Sequence, residues 1–166
     1  MEPVAAVMTQ KVVTATPETS VAEIARLLLQ NKISAVPVVD DEHHVLGIVS
    51  EGDLLGRPPA DSPRGWWLKL FNENAVSLEE IATARHLTAR DIMTSPAVTV
   101  GVQTPIGVVA TLMRRRRVKR VPVIEHGRLV GIVSRADLLG ALVRNGGESG
   151  THEIDGERLA AGETEV

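Results

Sequence analysis

The 166-residue chain contains no cysteine, no tyrosine, one phenylalanine and two tryptophans. Without cysteine, the protein can form neither a disulfide bond nor a cysteine-based metal site. Aromatic residues make up only 2% of the chain, so it lacks the stacking platforms on which many proteins bind single-stranded nucleic acid. The composition therefore argues against a disulfide framework, a thiolate metal site and base stacking.

Long apolar runs are also missing, since none approaches the roughly 20 residues that a membrane-spanning helix needs. The formal net charge is −3, which gives no general argument for a nucleic-acid partner. The N-terminal residues enter the first repeated segment almost at once and leave no room for a signal peptide. We therefore expect a cytoplasmic protein with no membrane partner.

The chain does contain a long internal repeat. The segment GIVSEGDLL at 47–55 returns as GIVSRADLL at 131–139. Around it, residues 6–55 and 91–139 align with a single one-residue gap. Such a match over a long segment indicates two copies of one structural unit. We call residues 6–55 the first copy and residues 91–139 the second copy.

Within each copy, the hydrophobic spacing predicts the order β-α-β-β-α. A short strand at Val12-Val13 precedes a helix over 19–31, which begins at Thr19 or Ser20. In the second copy, Thr104 is the predicted cap and Pro105 the first helical residue. The fold class is α/β (α+β).

A unit of about 50 residues cannot cover both faces of its own small sheet. We therefore predict that the two units pack sheet against sheet with pseudo-two-fold symmetry and share one core. Leucines of the last helix in each copy would hold that helix on the core. These leucines are Leu54, Leu55, Leu138 and Leu139.

Composition divides the chain into four segments. Residues 1–56 and 91–144 are the two repeats, and 57–90 is a linker that contains Trp66-Trp67 and a helix from Ser77 to Leu87. Residues 145–166 are predicted to form a flexible acidic tail. The tryptophans are interpreted as a packing or dimer contact, with partner docking as the alternative.

Each repeat carries a serine followed three residues later by an aspartate. Ser50 with Asp53, and Ser134 with Asp137, fit a helix capping box. Alternatively, the helix start could bind an anion while the aspartate accepts hydrogen bonds from vicinal hydroxyls such as those of a ribose. The residues alone leave both interpretations open.

Basic residues are concentrated in the second copy. The run 114–117 is all arginine and is typical of a solvated helix end, where cations complement the helix dipole; a nucleic-acid contact is a weaker alternative. Lys119 and Arg120 lead into a buried strand and suit a phosphate site. The first copy has Ser34-Ala35 there, so two such sites would differ in charge.

Catalytic patterns find little support. The five histidines show no metal-ligand spacing. Neither Ser50 nor Ser134 has a histidine at a fixed relation in the repeat that would activate it. We therefore predict a protein that is not an enzyme and that requires neither a metal nor another cofactor.

The doubled pattern of Met-Thr, helix, Val-Pro-Val strand and GIVSxxDLL resembles tandem cystathionine-β-synthase-type (CBS) domains, the pair called a Bateman module. The two tryptophans after the first copy also resemble those of bacterial stand-alone CBS-pair proteins. This resemblance implies two clefts related by pseudo-symmetry. It also implies an adenosine-containing ligand (AMP, ADP, ATP or S-adenosylmethionine), and a homodimer.

Carried over by position, the resemblance implies roles for individual residues. Asp53 and Asp137 would hold ribose hydroxyls, with Ser50 and Ser134 at the ribose or phosphate. Lys119 and Arg120 would face the phosphates. The base slot would consist of Thr14, Ile33, Val36, Pro37, Thr99, Val118, Val121 and Pro122.

Together these features predict a regulatory module that binds a nucleotide between its repeats and modulates a partner protein in trans. The alternative is a structural or oligomerisation module whose clefts stay empty.

Overall fold

The computed structural model describes residues 2–56 and 86–146. The tryptophan pair, residues 77–85 of the predicted linker helix and the acidic tail from residue 147 lie outside this description. Residues 86–87, the predicted end of that helix, are not helical.

The described elements confirm an α+β fold. A 3-10 helix at Val4–Ala6 opens the chain. In the first copy follow α1 (Val21–Asn31), β1 (Ala35–Val39), β2 (Val45–Ser50) and α2 (Glu51–Gly56). Around the second copy follow α3 (Ala89–Ile92), β3 (Val100–Gly101), α4 (Ile106–Arg116), β4 (Arg120–Glu125), β5 (Arg128–Ser134) and α5 (Arg135–Gly146).

Each copy contributes one small sheet. In the second copy, β3 runs parallel to β4, and β4 runs antiparallel to β5, as the order β-α-β-β-α predicts. In the first copy, β1 and β2 pair antiparallel, but Val12-Val13 is not a strand. The first strand is reduced there to one bridge between Ala15 and Val38. Pro17 follows two residues later and has no N–H with which to extend the pairing.

Backbone groups from outside each copy complete the start of its first long helix. Ser20 caps α1, with its Oγ accepting from the N–H of Glu23 at 3.2 Å, and the Val21 N–H donates to the Leu87 carbonyl at 3.0 Å. At α4, the N-cap is Pro105, one residue later than predicted. Here the Ile106 N–H donates to the Glu2 carbonyl at 3.0 Å, so Thr104 is not needed as a side-chain cap.

The buried side chains form two cores instead of the single predicted one, and the two copies exchange segments between them. The first core contains residues of the first copy together with Ala89 and Ile92. The second core contains residues of the second copy together with Val4. The exchange is also seen in the backbone, because Thr94 pairs with Ile48 and Thr9 pairs with Ile132. Sequence copies and folded units therefore do not have the same boundaries.

The last helices are held on these cores by fewer leucines than predicted. Leu54 and Leu138 are buried, but the side chain of Leu139 is 62% exposed. The side chain of Leu55 lies outside the description. A groove of about 390 Å³ is lined partly by Leu138, Leu139 and Leu142 of α5 and by residues of α4. Across the described residues, no helix is both long and apolar enough to cross a membrane.

Candidate functional site

Both serine–aspartate pairs form helix caps. In the first copy, the Ser50 N–H and Oγ donate to Oδ2 of Asp53 at 2.8 and 3.1 Å. In the second copy, the Ser134 N–H and Oγ both donate to Oδ2 of Asp137 at 2.7 Å. At Ser134 the Oγ also accepts from the Asp137 N–H at 3.3 Å, so the predicted capping box is complete there. At Ser50 the described bonds form its carboxylate half, in which Asp53 accepts from the Ser50 N–H.

The caps form because a strand runs directly into a helix in each copy. Ser50 ends β2 and Glu51 begins α2, and the Glu51 N–H donates to the Ser34 carbonyl at 2.9 Å. The equivalent bond joins the Arg135 N–H to the Lys119 carbonyl at 3.1 Å. These bonds hold each capped helix start against the beginning of the neighbouring strand.

A cavity of about 360 Å³ opens beside the first of these caps. Part of its wall belongs to the first copy and includes the cap, and part belongs to the second copy and is basic. The lining residues are Ser34, Ala35, Ile48, Ser50, Glu51, Gly52, Asp53, Thr94, Val98, Arg117, Val118, Lys119 and Arg120. We call this cavity the Asp53 cleft.

The basic wall carries three cations. Arg117 and Lys119 are exposed, and Arg120 is half-buried. The Nε–H of Arg120 donates to the Ser34 Oγ at 2.6 Å, a bond between the two copies. Because Arg120 is fixed by its Nε, its terminal amino groups are left for other acceptors. This basic wall is therefore suited to an anionic ligand.

The acidic side of the cleft retains hydrogen-bonding capacity. The bonds that Asp53 accepts from Ser50 both go to Oδ2. Within the described part of the chain, no hydrogen bond is made to its Oδ1. A carboxylate accepts several hydrogen bonds, so the cap and a ligand hydroxyl can share this side chain.

The structure brings together five of the residues that the sequence singled out. They are Ser50, Asp53, Val118, Lys119 and Arg120. The others do not line this cleft, namely Thr14, Ile33, Val36, Pro37, Thr99, Val121, Pro122, Ser134 and Asp137. Val36 and Val121 are fully buried members of the two cores. The roles of these nine residues stay predictions.

Sequence reasoning missed several wall residues. The arginine run 114–117 predicts a solvated helix end, and α4 does end at Arg116. Arg117 itself takes a left-handed backbone conformation with φ 54°, where the chain leaves the helix toward the cleft. Thr94 belongs to the repeated Met-Thr pattern, which does not by itself indicate a position in a cleft. Their positions in the sequence could have indicated both residues. Arg117 directly precedes predicted site residues, and Thr94 lies in a repeated motif.

A second cluster of polar side chains lies in the turn after β1. Ligand atoms of Asp40, Glu42 and His44 lie within 4.8 Å of one another. Asp40 Oδ1 accepts from the N–H groups of Glu42 and His44 at 3.0 and 2.8 Å. These hydrogen bonds, above all the one from the His44 N–H, hold the pKa of Asp40 below its usual value. The cluster is thereby explained as a turn structure.

Relatives of known structure share this architecture. The crystal structure of CBSX2 in complex with AMP has a TM-score of 0.70 and 26% identity, covering 88% of this chain and 99% of that one. CBSX2 is a chloroplastic CBS domain-containing protein of Arabidopsis thaliana. The full-length CBSX2 sequence matches this chain with 31% identity over 144 residues, and this match spans 57% of the CBSX2 sequence. A CBS domain from a Sphaerobacter thermophilus membrane protein is 33% identical with a TM-score of 0.66, covering 83% of this chain and 86% of that one.

A further relative is the protein MJ1426 of Methanocaldococcus jannaschii. It is 30% identical over 139 residues, which cover 73% of this chain and 80% of that protein. The family model of the CBS domain matches residues 4–59 and again residues 89–144. The chain therefore belongs to the CBS domain family, as a protein with two such domains.

Proposed function

We propose that the protein is a regulatory module that binds an adenosine-containing nucleotide in the Asp53 cleft. The supporting observation is that a capped aspartate and three cations of the other copy line one cavity of about 360 Å³. Small-molecule sites usually have volumes of roughly 300–1,000 Å³. The cleft is therefore large enough for a nucleotide that keeps part of its surface exposed.

The aspartate supplies the ribose contact. Vicinal hydroxyls donate hydrogen bonds, and Asp53 is a half-buried carboxylate whose bonds to Ser50 use Oδ2. In this proposal the ribose hydroxyls donate hydrogen bonds to the Asp53 carboxylate without displacing the cap. The same role for Asp137 in a second cleft is a prediction from the repeat.

The ligand class is supported by a relative and by charge. CBSX2, which shares the fold, has been crystallised with AMP. Among AMP, ADP, ATP and S-adenosylmethionine, the first three carry phosphates that suit Arg117, Lys119 and Arg120. S-adenosylmethionine carries a cationic sulfonium instead, which the same basic wall disfavours.

Regulation would follow from the position of the cleft between the copies. A ligand that contacts the α2 cap of one copy and the β4 start of the other favours the relative placement that suits both contacts. It can regulate another protein only if that placement changes the affinity for the partner. We propose that this partner is a separate protein, and that the module is not an enzyme and needs no required cofactor.

Exposed apolar side chains support a homodimer and also the second candidate, an assembly module. On α5, Leu139 and Leu142 are each 62% exposed and Val143 is 76% exposed. Apolar patches of this kind often mark protein contacts. A second copy of the chain is the proposed occupant. If the clefts stayed empty, this surface alone would define the function.

A binding titration with two matched variants tests the nucleotide proposal. Asp53→Ala and Asp137→Ala each remove a helix cap, so each should lose roughly 1 kcal/mol of stability. Isothermal titration with AMP should show that Asp53→Ala weakens binding at least about tenfold, whereas Asp137→Ala retains the Asp53 site. Unchanged AMP affinity in Asp53→Ala would overturn the proposal.

A further inference from the structure

The groove of about 390 Å³ between α4 and α5 combines an apolar floor with a basic rim. We call it the α5 groove. Its floor includes Met113 and Leu138, which are 2% and 7% exposed. Its rim carries the exposed arginines Arg114, Arg117 and Arg135, and no acidic side chain is among the described residues that line it. The groove therefore suits an acidic segment that also carries an apolar side chain.

Helix chemistry does not explain all three rim arginines. Arg114 lies in the last turn of α4, where a cation complements the helix dipole. Arg135 begins α5, and a cation at the start of a helix opposes the dipole. Among the described residues, none of the three arginines makes a salt bridge. The rim therefore presents positive charge that would attract an acidic group.

The acidic excess of the chain lies in the segment that follows α5. Residues 147–166 contain six acidic side chains and one basic one, whereas residues 1–146 contain 15 acidic and 17 basic ones. Within the acidic segment, Ile154 lies between Glu153 and Asp155, and Glu157 follows. Alternate side chains of an extended chain point in opposite directions. An extended stretch 153–157 would therefore place its apolar side chain on a floor and its three carboxylates at a rim.

The stretch 153–157 is close enough along the chain to reach the groove. Helix α5 spans Arg135–Gly146 and is about 18 Å long, at roughly 1.5 Å per residue. An extended chain covers roughly 3.3 Å per residue, so about six residues after Gly146 suffice to return to the level of Arg135. Gly146 and Gly147 stand where the chain would have to reverse, and glycine admits the backbone conformations of a tight turn.

We propose that residues 153–157 dock in the α5 groove of their own chain. Ile154 packs on the apolar floor, and the carboxylates of Glu153, Asp155 and Glu157 pair with the three rim arginines. This contact needs no nucleotide. It also bears on the homodimer proposed above, because a two-fold contact at α5 brings the same arginines of both copies toward one another. The docked carboxylates reduce that repulsion.

Paramagnetic relaxation in the full-length protein without nucleotide tests this contact. The chain has no cysteine, so Ala161→Cys provides a single site for a nitroxide spin label beyond the docked stretch. In the isotope-labelled protein, the spin label should reduce the amide signals of Met113 and Leu138. Neutralising residues 153, 155 and 157 together, as Gln, Asn and Gln, should restore these signals. Raising the salt concentration should restore them in part, and Arg135→Gln should do the same.

Two matched controls separate docking from general charge effects. Glu148→Gln, Glu163→Gln and Glu165→Gln together remove the same number of negative charges outside the stretch 153–157. This variant should keep the reduced signals. Arg116→Gln removes an exposed arginine at the end of α4 that does not line the groove, and it should keep them as well.

Two results would overturn the proposal. One is equal amide intensities at Met113 and Leu138 with the natural and the neutralised stretch. The other is an equally large reduction in isotope-labelled chains without a spin label that are mixed with spin-labelled chains, because the docked stretch would then belong to a second copy. Neither result involves a nucleotide, so the proposed nucleotide binding would stand in both cases.

Discussion

Gly47 and Met93 lie in direct contact across the two sequence copies. A Cβ atom at Gly47 would lie 2.7 Å from the Met93 Sδ and 2.9 Å from the Thr94 carbonyl oxygen. The symmetric contact joins Gly131 to Met8. The glycine of the GIVS motif thus makes room for the Met-Thr segment of the other copy. Two separate motifs of the repeat are explained by one exchanged contact.

Gly47→Ala should destabilise the fold. Its new methyl group would overlap the Thr94 backbone, which cannot move without breaking its pairing with Ile48. Overpacking of this kind costs about 1–3 kcal/mol, measurable by urea unfolding. The control is Gly140→Ala, whose Cβ would meet only the flexible end of Arg144 at 3.4 Å. Equal stability of the two variants would contradict the exchanged contact.

Val4→Ala should destabilise the protein although Val4 lies near the N-terminus. Its side chain is fully buried in the second core with Val109 and Val133. We expect a loss of roughly 2 kcal/mol from the cavity left behind, measured by chemical unfolding. Val108→Ala, at a site that is 52% exposed, should change stability by less than about 0.5 kcal/mol. A neutral Val4→Ala would mean that the N-terminal segment does not belong to this core.

Asp40→Asn should make the stability of the fold depend less steeply on pH under acidic conditions. The His44 N–H, which donates to the Asp40 carboxylate at 2.8 Å, lowers the pKa of Asp40 in the folded state. A carboxylate with a lowered folded pKa stabilises the fold above its ordinary pKa of about 4 and loses that effect as pH falls through the folded value. Unfolding midpoints measured from pH 7 down to pH 2 should therefore fall less steeply in the variant.

The pH experiment has a control in the same turn. Asp41→Asn removes the neighbouring carboxylate, which takes no part in the Asp40 hydrogen bonds to Glu42 and His44. This variant should keep the contribution that ionised Asp40 makes to the stability of the wild-type protein. The same pH dependence in wild type and Asp40→Asn would show that the turn does not stabilise the ionised carboxylate.

Leu142→Arg should prevent self-association if α5 is the dimer surface. The side chain of Leu142 is 62% exposed and lies on the groove beside Leu139. A buried arginine without a partner would oppose contact between two copies. Sedimentation velocity should show a dimer for the wild type and a monomer for the variant. Glu125→Arg, at the exposed end of β4, should leave the dimer intact, and a dimeric Leu142→Arg would exclude this surface.

The sequence predicted the features that depend on local chemistry. Ser20, Ser50 and Ser134 cap helices because a serine or its aspartate partner satisfies N–H groups a few residues away. Hydrophobic spacing likewise predicted α1 and the order of elements in the second copy. Proline limited the first copy, where Pro17 stops the first strand at a single bridge.

The exchange of segments was not predictable in this way. An apolar Val7-Met8 segment fits either core equally well by pattern, and only the complete fold decides that it packs on the second. The same limit applied to Arg117, because helix-end composition explains an arginine there without showing that the chain next turns toward a cleft. Val36 has the apolar character of a ligand slot, but its strand position directs it into the first core.

Thermal unfolding of the native protein with AMP, ADP, ATP, NAD and S-adenosylmethionine is the most direct test of nucleotide binding. A ligand specific for the folded state stabilises it by about 2.7 kcal/mol at a hundredfold excess over its dissociation constant. We predict a rise in the unfolding temperature with the adenine nucleotides. An unchanged unfolding temperature with every ligand at millimolar concentration would contradict nucleotide sensing and leave the assembly module as the function of this chain.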